Sequence, residues 1–132
     1  MIGLDTNVVI RYIAQDDPRQ SAAATRVMER TLSAEDPGFI ALITVCEIAW
    51  VLSECYRADR ARIREVIEGL LGTKQLVVES AELVWKALRA CEGSPADLSD
   101  ALIGEVAARH GAGKVLTFDK AAARLATFAH LA

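Results

Sequence analysis

Residues 1–13 of the chain read MIGLDTNVVIRYI, and the interpretation of the whole sequence starts from this stretch. Ile2 and Leu4 are typical of a short buried strand, and the apolar run resumes at residues 8–10. Asp5 interrupts this run, and an unpaired carboxylate is costly to bury. We therefore expect the carboxylate of Asp5 to have either a bonding partner or a function.

The composition is that of a single globular domain. The chain has 132 residues, of which 52% are hydrophobic and 25% are charged, enough for a full core without disulfide bonds. A net charge of -3 argues against a basic nucleic-acid clamp. It does not argue against an enzyme that holds nucleic acid through cations, since bound cations reverse the local field. We predict one domain over residues 1–132.

The cysteine pattern and the hydropathy of the chain both favour a cytoplasmic location. Cys46, Cys55 and Cys91 are odd in number and form no CxxC pair, so we expect buried, reduced thiols. No apolar stretch is long enough to span a bilayer, and no signal-peptide pattern precedes Asp5. The sequence therefore predicts a soluble cytoplasmic protein without a membrane partner.

Short apolar strands alternate with helices along the chain. The strand candidates are residues 2–4, 39–43, 75–78, 114–117 and 127–130, with a turn at 36–38. The helix candidates are residues 7–13, 18–32, 44–56, 59–71, 80–91, 97–109 and 119–125. This alternation predicts an α/β fold with a parallel sheet covered on both faces. In such sheets, ligands bind beyond the carboxyl ends of the strands.

Acidic residues occur where such a sheet would bring them together. Asp5 and Asp119 each follow an apolar strand, while Glu47 and Asp100 lie in the first turns of helices. Asp97 shares a helix face with Asp100. Carboxylates that converge in one cleft repel each other unless protons or cations neutralise them, and hard divalent cations prefer oxygen ligands. Such ions can activate water for phosphodiester hydrolysis.

Helix capping is the alternative interpretation of each acid. Asp5 would cap the first helix, and Asp119 would cap the last helix. Thr44 and Glu47 match a capping box, and Asp97 and Asp100 favour a helix N-terminus through the macrodipole. Capping does not exclude catalysis, and it leaves unexplained why two acids both end apolar strands.

The four acidic motifs resemble those of PIN-domain ribonucleases, in particular the VapC-type toxins of bacterial toxin–antitoxin pairs. The motifs read MIGLDTN at 1–7, TVCE at 44–47, DLSDALI at 97–103 and LTFD at 116–119. The resemblance covers nearly the whole chain. It implies a three-layer α/β/α PIN-like fold, with a parallel sheet in the order 3-2-1-4-5 and flanking helices. It also implies a magnesium- or manganese-dependent endoribonuclease, a hydrolase that cleaves RNA.

The resemblance further implies which residues form the site. One or two Mg²⁺ or Mn²⁺ ions would be held by the metal ligands and catalytic acids Asp5, Glu47, Asp100 and Asp119. Asp5 and Asp100 would be the most direct ligands. The residues implied to support these acids are Thr6, Asn7, Thr44, Asp97 and Thr117.

The implied partners are RNA, a second copy of the chain and a small antitoxin protein whose tail enters the cleft. Arg11, on the helix after Asp5, is a candidate contact to an RNA phosphate. The alternative interpretation of Arg11 is a solvated surface arginine. Trp50 and Trp85 are interpreted as core or interface residues.

Two other functions are compatible with parts of this pattern. A haloacid-dehalogenase-like phosphatase would use Asp5 as the nucleophile, but that family has a second aspartate two positions later, where this chain has Asn7. A non-catalytic RNA-binding module would keep the fold with an inert acidic cleft. The intact set of acids argues against the second function.

Overall fold

A computed structural model describes all residues, 1–132, and the chain forms two compact units. We call Met1–Glu79 the N-terminal unit and Ser80–Ala132 the C-terminal unit. The N-terminal unit contains β1 (Ile2–Gly3), α1 (Thr6–Ala14), α2 (Pro18–Arg26), β2 (Gly38–Ile40), α3 (Leu42–Tyr56), α4 (Arg60–Leu71) and β3 (Leu76–Val78). The C-terminal unit contains α5 (Ala81–Ala90), α6 (Leu98–Arg109), β4 (Val115–Thr117) and β5 (Phe128–His130).

The N-terminal unit contains a parallel sheet in the order β1-β2-β3. Ile2 is the register partner of Gly38, and Gly38 is in turn the partner of Leu76. The amide of Leu4 donates to the carbonyl of Phe39 at 2.9 Å, so the pairing continues one residue past β1. This arrangement confirms the part of the predicted strand order that reads 3-2-1.

The C-terminal unit contains β4 and β5, which form a parallel pair. Val115 is the register partner of Phe128, and Thr117 is the partner of His130. The pair matches the final 4-5 of the predicted order, while a ladder between β1 and β4 is not among the hydrogen-bonded pairs. The predicted α/β class, with parallel strands and flanking helices, is confirmed.

Helix α3 begins earlier than the sequence predicted. The predicted strand at 39–43 ends at Ile40, and α3 starts at Leu42, with Ala41 as its N-cap. Thr44 is therefore a buried residue inside the helix, and the capping-box interpretation of Thr44 and Glu47 is wrong. The carboxylate of Glu79 caps the helix instead, because its Oε1 accepts from the amide of Leu42 at 2.8 Å. Sequence reasoning missed this cap because its donor and acceptor lie far apart in the chain.

Gly38 opens β2 rather than ending the turn predicted at 36–38. A Cβ atom at this position would lie 2.8 Å from Cδ1 of Leu32 and 2.9 Å from Cδ1 of Leu4. A larger residue would displace both leucine side chains from the packing around β2.

The predicted second helix, 18–32, is divided in two. Asp17 caps α2, and Pro18 occupies its first turn, a position that suits proline. The helix ends at Arg26 and continues as a single π-helical turn over Val27–Thr31. The helix predicted at 119–125 is also shorter, because only Ala122–Arg124 form a 3-10 turn.

Apolar faces of the helices form the core of each unit. The largest fully buried side chains are Ile40, Ile48, Ile67, Leu88, Leu102, Val9, Val45 and Val84. Ile2 is exposed, so Leu4 alone anchors the first strand in the core. No helix is long and apolar enough to be a membrane-span candidate.

The structure corrects the expectation about the cysteines and excludes one of the two alternatives for the tryptophans. All three cysteines are free, but only Cys91 is buried, whereas Cys46 is half-buried and Cys55 is exposed. Trp50 is 61% exposed and Trp85 is 37% exposed, so neither tryptophan is a core residue of this chain. The cysteine interpretation failed because apolar neighbours in a helix do not determine which way a given residue faces.

Candidate functional site

Asp5 lies at the end of β1 and caps α1. Its Oδ1 accepts from the amide of Thr6 at 2.8 Å, so the predicted capping role is confirmed. The side chain is exposed, and the burial cost that its apolar sequence context implied therefore does not arise. Capping occupies one carboxylate oxygen, and Oδ2 stays available for another partner.

Thr6 links Asp5 to Glu47. Its hydroxyl donates to Oε1 of Glu47 at 2.8 Å, across 41 residues of sequence. Glu47 lies on α3, in the second turn rather than the first, because the helix starts at Leu42. The N-terminal unit therefore brings together two of the four predicted acids through one threonine.

The other two supporting residues of this unit differ in their surroundings. Asn7 is exposed on α1, and its side-chain amide makes no hydrogen bond. Thr44 is buried inside α3, one turn before Glu47. Neither contacts an acid through a hydrogen bond, so their supporting roles remain predictions.

In the C-terminal unit, Asp97 and Asp100 form the start of α6. Asp97 is the N-cap, and its Oδ1 accepts from the amide of Asp100 at 2.8 Å. Partial burial raises the pKa of the Asp100 carboxyl, and the negative charge of Asp97 raises it further. Asp119 adds a smaller contribution in the same direction. These three carboxylates are therefore close enough to interact electrostatically.

Asp119 is held in a tight turn after β4. Its amide donates to Oγ1 of Thr117 at 3.0 Å, and its Oδ1 accepts from the amide of Ala121 at 2.8 Å. Phe118, between them, has its carbonyl oxygen 3.1 Å from Nε2 of His130. The contact between Thr117 and Asp119 agrees with the predicted supporting role of Thr117.

Arg11 is neither free nor simply solvated. Its Nη1 donates to Oδ1 of Asp16 at 3.1 Å and to the hydroxyl of Tyr56 at 3.2 Å. Its Nε donates to Oε1 of Gln20 at 2.8 Å. The hydroxyl of Tyr56 also donates to Oδ2 of Asp16 at 2.7 Å. Sequence reasoning missed these partners, and no local pattern reveals a contact that spans 45 residues, as the one between Arg11 and Tyr56 does.

The acids form two groups, Asp5 with Glu47 in the N-terminal unit and Asp97, Asp100 and Asp119 in the C-terminal unit. The ligand chemistry of both acidic groups fits a hard divalent cation. Every candidate ligand is a carboxylate, which is the ligand type that Mg²⁺ and Mn²⁺ prefer, and like charge around Asp100 favours a neutralising cation. No group of three or more His, Cys, Asp or Glu side chains in the chain is arranged to hold a metal ion. The four-acid metal set therefore remains a prediction.

Comparison with known proteins identifies the family. A comparison with curated proteins found no match. A family model described as the PIN domain matches residues 2–127, which include the acid of each of the four motifs. PIN domains are metal-dependent nucleases in general, so the match supports a hydrolase that acts on nucleic acid. The chain belongs to the PIN domain family.

Proposed function

We propose that the protein is a metal-dependent endoribonuclease that hydrolyses phosphodiester bonds in RNA. The observation that carries this proposal is the family match over residues 2–127, within which each acidic motif keeps its acid. We further propose that the protein is a VapC-type toxin of a type II toxin–antitoxin pair and acts in the cytoplasm. The order and spacing of the motifs support this narrower assignment.

In this proposal, four acids share the metal site. Asp5, Glu47, Asp100 and Asp119 would hold one or two Mg²⁺ or Mn²⁺ ions, with Asp5 and Asp100 as the most direct ligands. The bound ion supplies Lewis acidity, which lowers the pKa of water and stabilises charge on the phosphate oxygens. The protein contributes by holding the acids in place and by binding the RNA strand.

The surrounding side chains would orient these acids. Thr6 would fix one oxygen of Glu47 by donating to it, which leaves the other oxygen for a metal ion. Asp97 fixes the first turn of α6, and Thr117 fixes the turn that carries Asp119. Positioning residues of this kind commonly affect metal affinity by about 10–100-fold.

Two protein partners belong to the same proposal. An antitoxin tail would enter the acidic cleft, and a second copy of the chain would form a homodimer. Ile43 and Trp50 lie two turns apart on α3 and are 77% and 61% exposed. Exposed apolar residues of this size favour a protein interface over free solvent, which supports the homodimer.

The test is incubation of the purified protein with single-stranded RNA, in the presence of either Mn²⁺ or EDTA. We expect endonucleolytic products with Mn²⁺ and intact RNA with EDTA. Cleavage that continues in EDTA would contradict the metal-dependent mechanism. RNA binding without cleavage under either condition would instead identify a non-catalytic RNA-binding module.

The covalent intermediate of a phosphatase distinguishes this alternative from a nuclease. A haloacid-dehalogenase-like enzyme would form an aspartyl-phosphate on Asp5, whereas a nuclease would not. No second aspartate follows at position 7, and the family match supports the nuclease. Trapping of a phosphorylated Asp5 by mass spectrometry would overturn the nuclease assignment.

A further inference from the structure

A cavity of about 250 Å³ lies between α1 and α2 in the N-terminal unit. Its polar lining is formed by Asn7, Arg11 and Gln20, and its apolar lining by valines and alanines of the same region. Asn7 is only two residues after Asp5. The cavity therefore begins within one helical turn of a residue of the proposed metal site.

The guanidinium of Arg11 is held in a fixed orientation at this cavity. Gln20 accepts from its Nε at 2.8 Å, and Asp16 and Tyr56 accept from its Nη1 at 3.1 and 3.2 Å. Because the guanidinium is planar, these three contacts also fix the direction of Nη2. Nη2 makes no hydrogen bond within the chain, so its two N–H groups remain available.

Gln20 also lines the cavity and has a second donor group. Nε of Arg11 can only donate, so the atom of Gln20 that contacts it must be the amide oxygen. The amide nitrogen of Gln20 is thereby oriented away from Arg11, and it makes no hydrogen bond. Arg11 and Gln20 both line the cavity, and each has a donor without a partner, which matches a ligand that carries hydrogen-bond acceptors.

We propose that this cavity binds one nucleobase of the RNA substrate and that Arg11 and Gln20 select bases whose edge presents two neighbouring hydrogen-bond acceptors. This proposal rests on the proposed function and extends it to a base-selecting subsite. Guanine presents O6 and N7 as two neighbouring acceptors, whereas the N7 acceptor of adenine lies beside its N6 amino donor. Unstacked bases of single-stranded RNA are recognised in this way, by hydrogen bonds to their edges and apolar contact with their faces.

The size of the cavity favours a base over a segment of protein. Pockets for drug-sized ligands have volumes of roughly 300–1,000 Å³. At about 250 Å³, this cavity suits a single planar ring system rather than an amphipathic helix, which needs an extended groove. The apolar alanine and valine surface would contact the face of the ring, while the two donors contact its edge.

The decisive experiment uses two neighbouring alanines of α2. Ala22 and Ala23 are both exposed, but only Ala23 lines the cavity. Ala23→Leu would fill the cavity without removing a polar group, and Ala22→Leu is the matched control. We expect Ala23→Leu to weaken binding of labelled single-stranded RNA in Ca²⁺ by about tenfold, and Ala22→Leu to leave binding unchanged.

Base selection is tested by mapping the cleavage sites in a mixed-sequence RNA with Mn²⁺. We expect the wild type to disfavour adenine at one position relative to the cut, and Gln20→Ala to lose this preference. Arg19→Ala, which removes an exposed residue outside the cavity, should keep it. An unchanged preference in Gln20→Ala would overturn the assignment of Gln20.

The outcomes separate this proposal from the nuclease assignment. RNA binding that is weakened by Ala23→Leu, in a protein that never cleaves RNA, would support the proposed nucleobase cavity and contradict the nuclease assignment. RNA cleavage by the wild type, together with equal RNA binding by Ala23→Leu and Ala22→Leu, would support the nuclease assignment and contradict the proposed nucleobase cavity. Equal RNA binding by the two variants is also the result expected if the cavity binds a protein partner, and it would overturn the proposal of a nucleobase cavity. Absence of RNA binding by the wild type overturns it as well.

Discussion

The two units of the chain hold their acids in different ways. In the N-terminal unit, a neutral hydroxyl from Thr6 donates to Glu47, and Asp5 caps a helix. In the C-terminal unit, Asp97 and Asp119 add negative charge around Asp100, and together with partial burial they raise the pKa of its carboxyl. The first group is organised by hydrogen bonds, and the second is a concentration of like charge.

This difference indicates where a cation would matter most. A carboxylate with a hydrogen-bond donor is oriented before any ligand arrives. Carboxylates crowded together repel each other, and a bound cation removes that repulsion. We therefore expect metal binding to stabilise the C-terminal group more than the N-terminal group.

The largest expected effect is that of Asp100→Asn. The amide keeps the shape of the side chain but removes a proposed metal ligand, so we expect RNA cleavage in Mn²⁺ to fall by at least about 100-fold. The melting temperature should stay the same or rise, because a repelled charge beside Asp97 is removed. Glu65→Gln, at an exposed position on α4, is the control. Equal activity in the two variants would show that Asp100 has no catalytic role.

Gly104→Ala tests the close packing of α6 against Thr127 and Phe128. A Cβ at this position would lie 2.0 Å from Oγ1 of Thr127 and 3.0 Å from the ring of Phe128, so the helix or the strand must shift. We expect a loss of about 1–3 kcal/mol in the free energy of unfolding, measured by urea denaturation. In the N-terminal unit, a Cβ at Gly69 meets nothing within 4 Å, and Gly69→Ala should stabilise the protein by about 0.5–1 kcal/mol. Stabilisation by both substitutions would contradict the close packing of α6 on β5.

The hydrogen-bonded group is tested by Thr6→Val. This substitution keeps a β-branched side chain but removes the hydroxyl that donates to Glu47. We expect cleavage to fall about tenfold, while the free energy of unfolding changes by only about 0.5–1.5 kcal/mol. Thr6→Ser keeps the hydroxyl and should restore most of the activity. If valine and serine have the same effect, the hydroxyl does not position Glu47.

The smallest effect concerns Asp16, which lies outside both acidic groups. The hydrogen bond from Tyr56, with help from Arg11, lowers the pKa of Asp16 below its ordinary value. A carboxyl group whose pKa is lowered in the folded state stabilises the protein at pH values above its unfolded-state pKa. This stabilisation is lost as the pH falls through the folded-state pKa. Tyr56→Phe should therefore make the free energy of unfolding less dependent on pH in the acid range, which urea titrations at several pH values would show. An identical pH dependence in both proteins would exclude this contribution.

Local patterns in the sequence were sufficient to predict much of the fold. Alternating apolar strands and helices gave the α/β class, and Asp59 and Asp97 were placed correctly at helix starts. Each of these features depends on a few neighbouring residues. The motif that follows an apolar strand likewise placed Asp5 correctly beyond β1.

The features that sequence reasoning missed depend on distant partners. The apolar residues at 42–43 resemble a strand, but pairing with β3 ends at Ile40 and Glu79 caps the following helix. The bonds of Arg11 to Asp16 and Tyr56 join elements whose proximity is decided by packing. Exposure of Asp5 and Trp50 also depends on the final arrangement of the chain rather than on sequence neighbours.

The most direct test of the proposed site is Mn²⁺ binding, measured by electron paramagnetic resonance of the free ion. This readout does not depend on the RNA substrate. The proposed site predicts saturable binding by the wild type and by Glu65→Gln, with strongly weakened binding by Asp5→Asn and Asp100→Asn. Equal Mn²⁺ binding by all four proteins would contradict a metal site built on these acids.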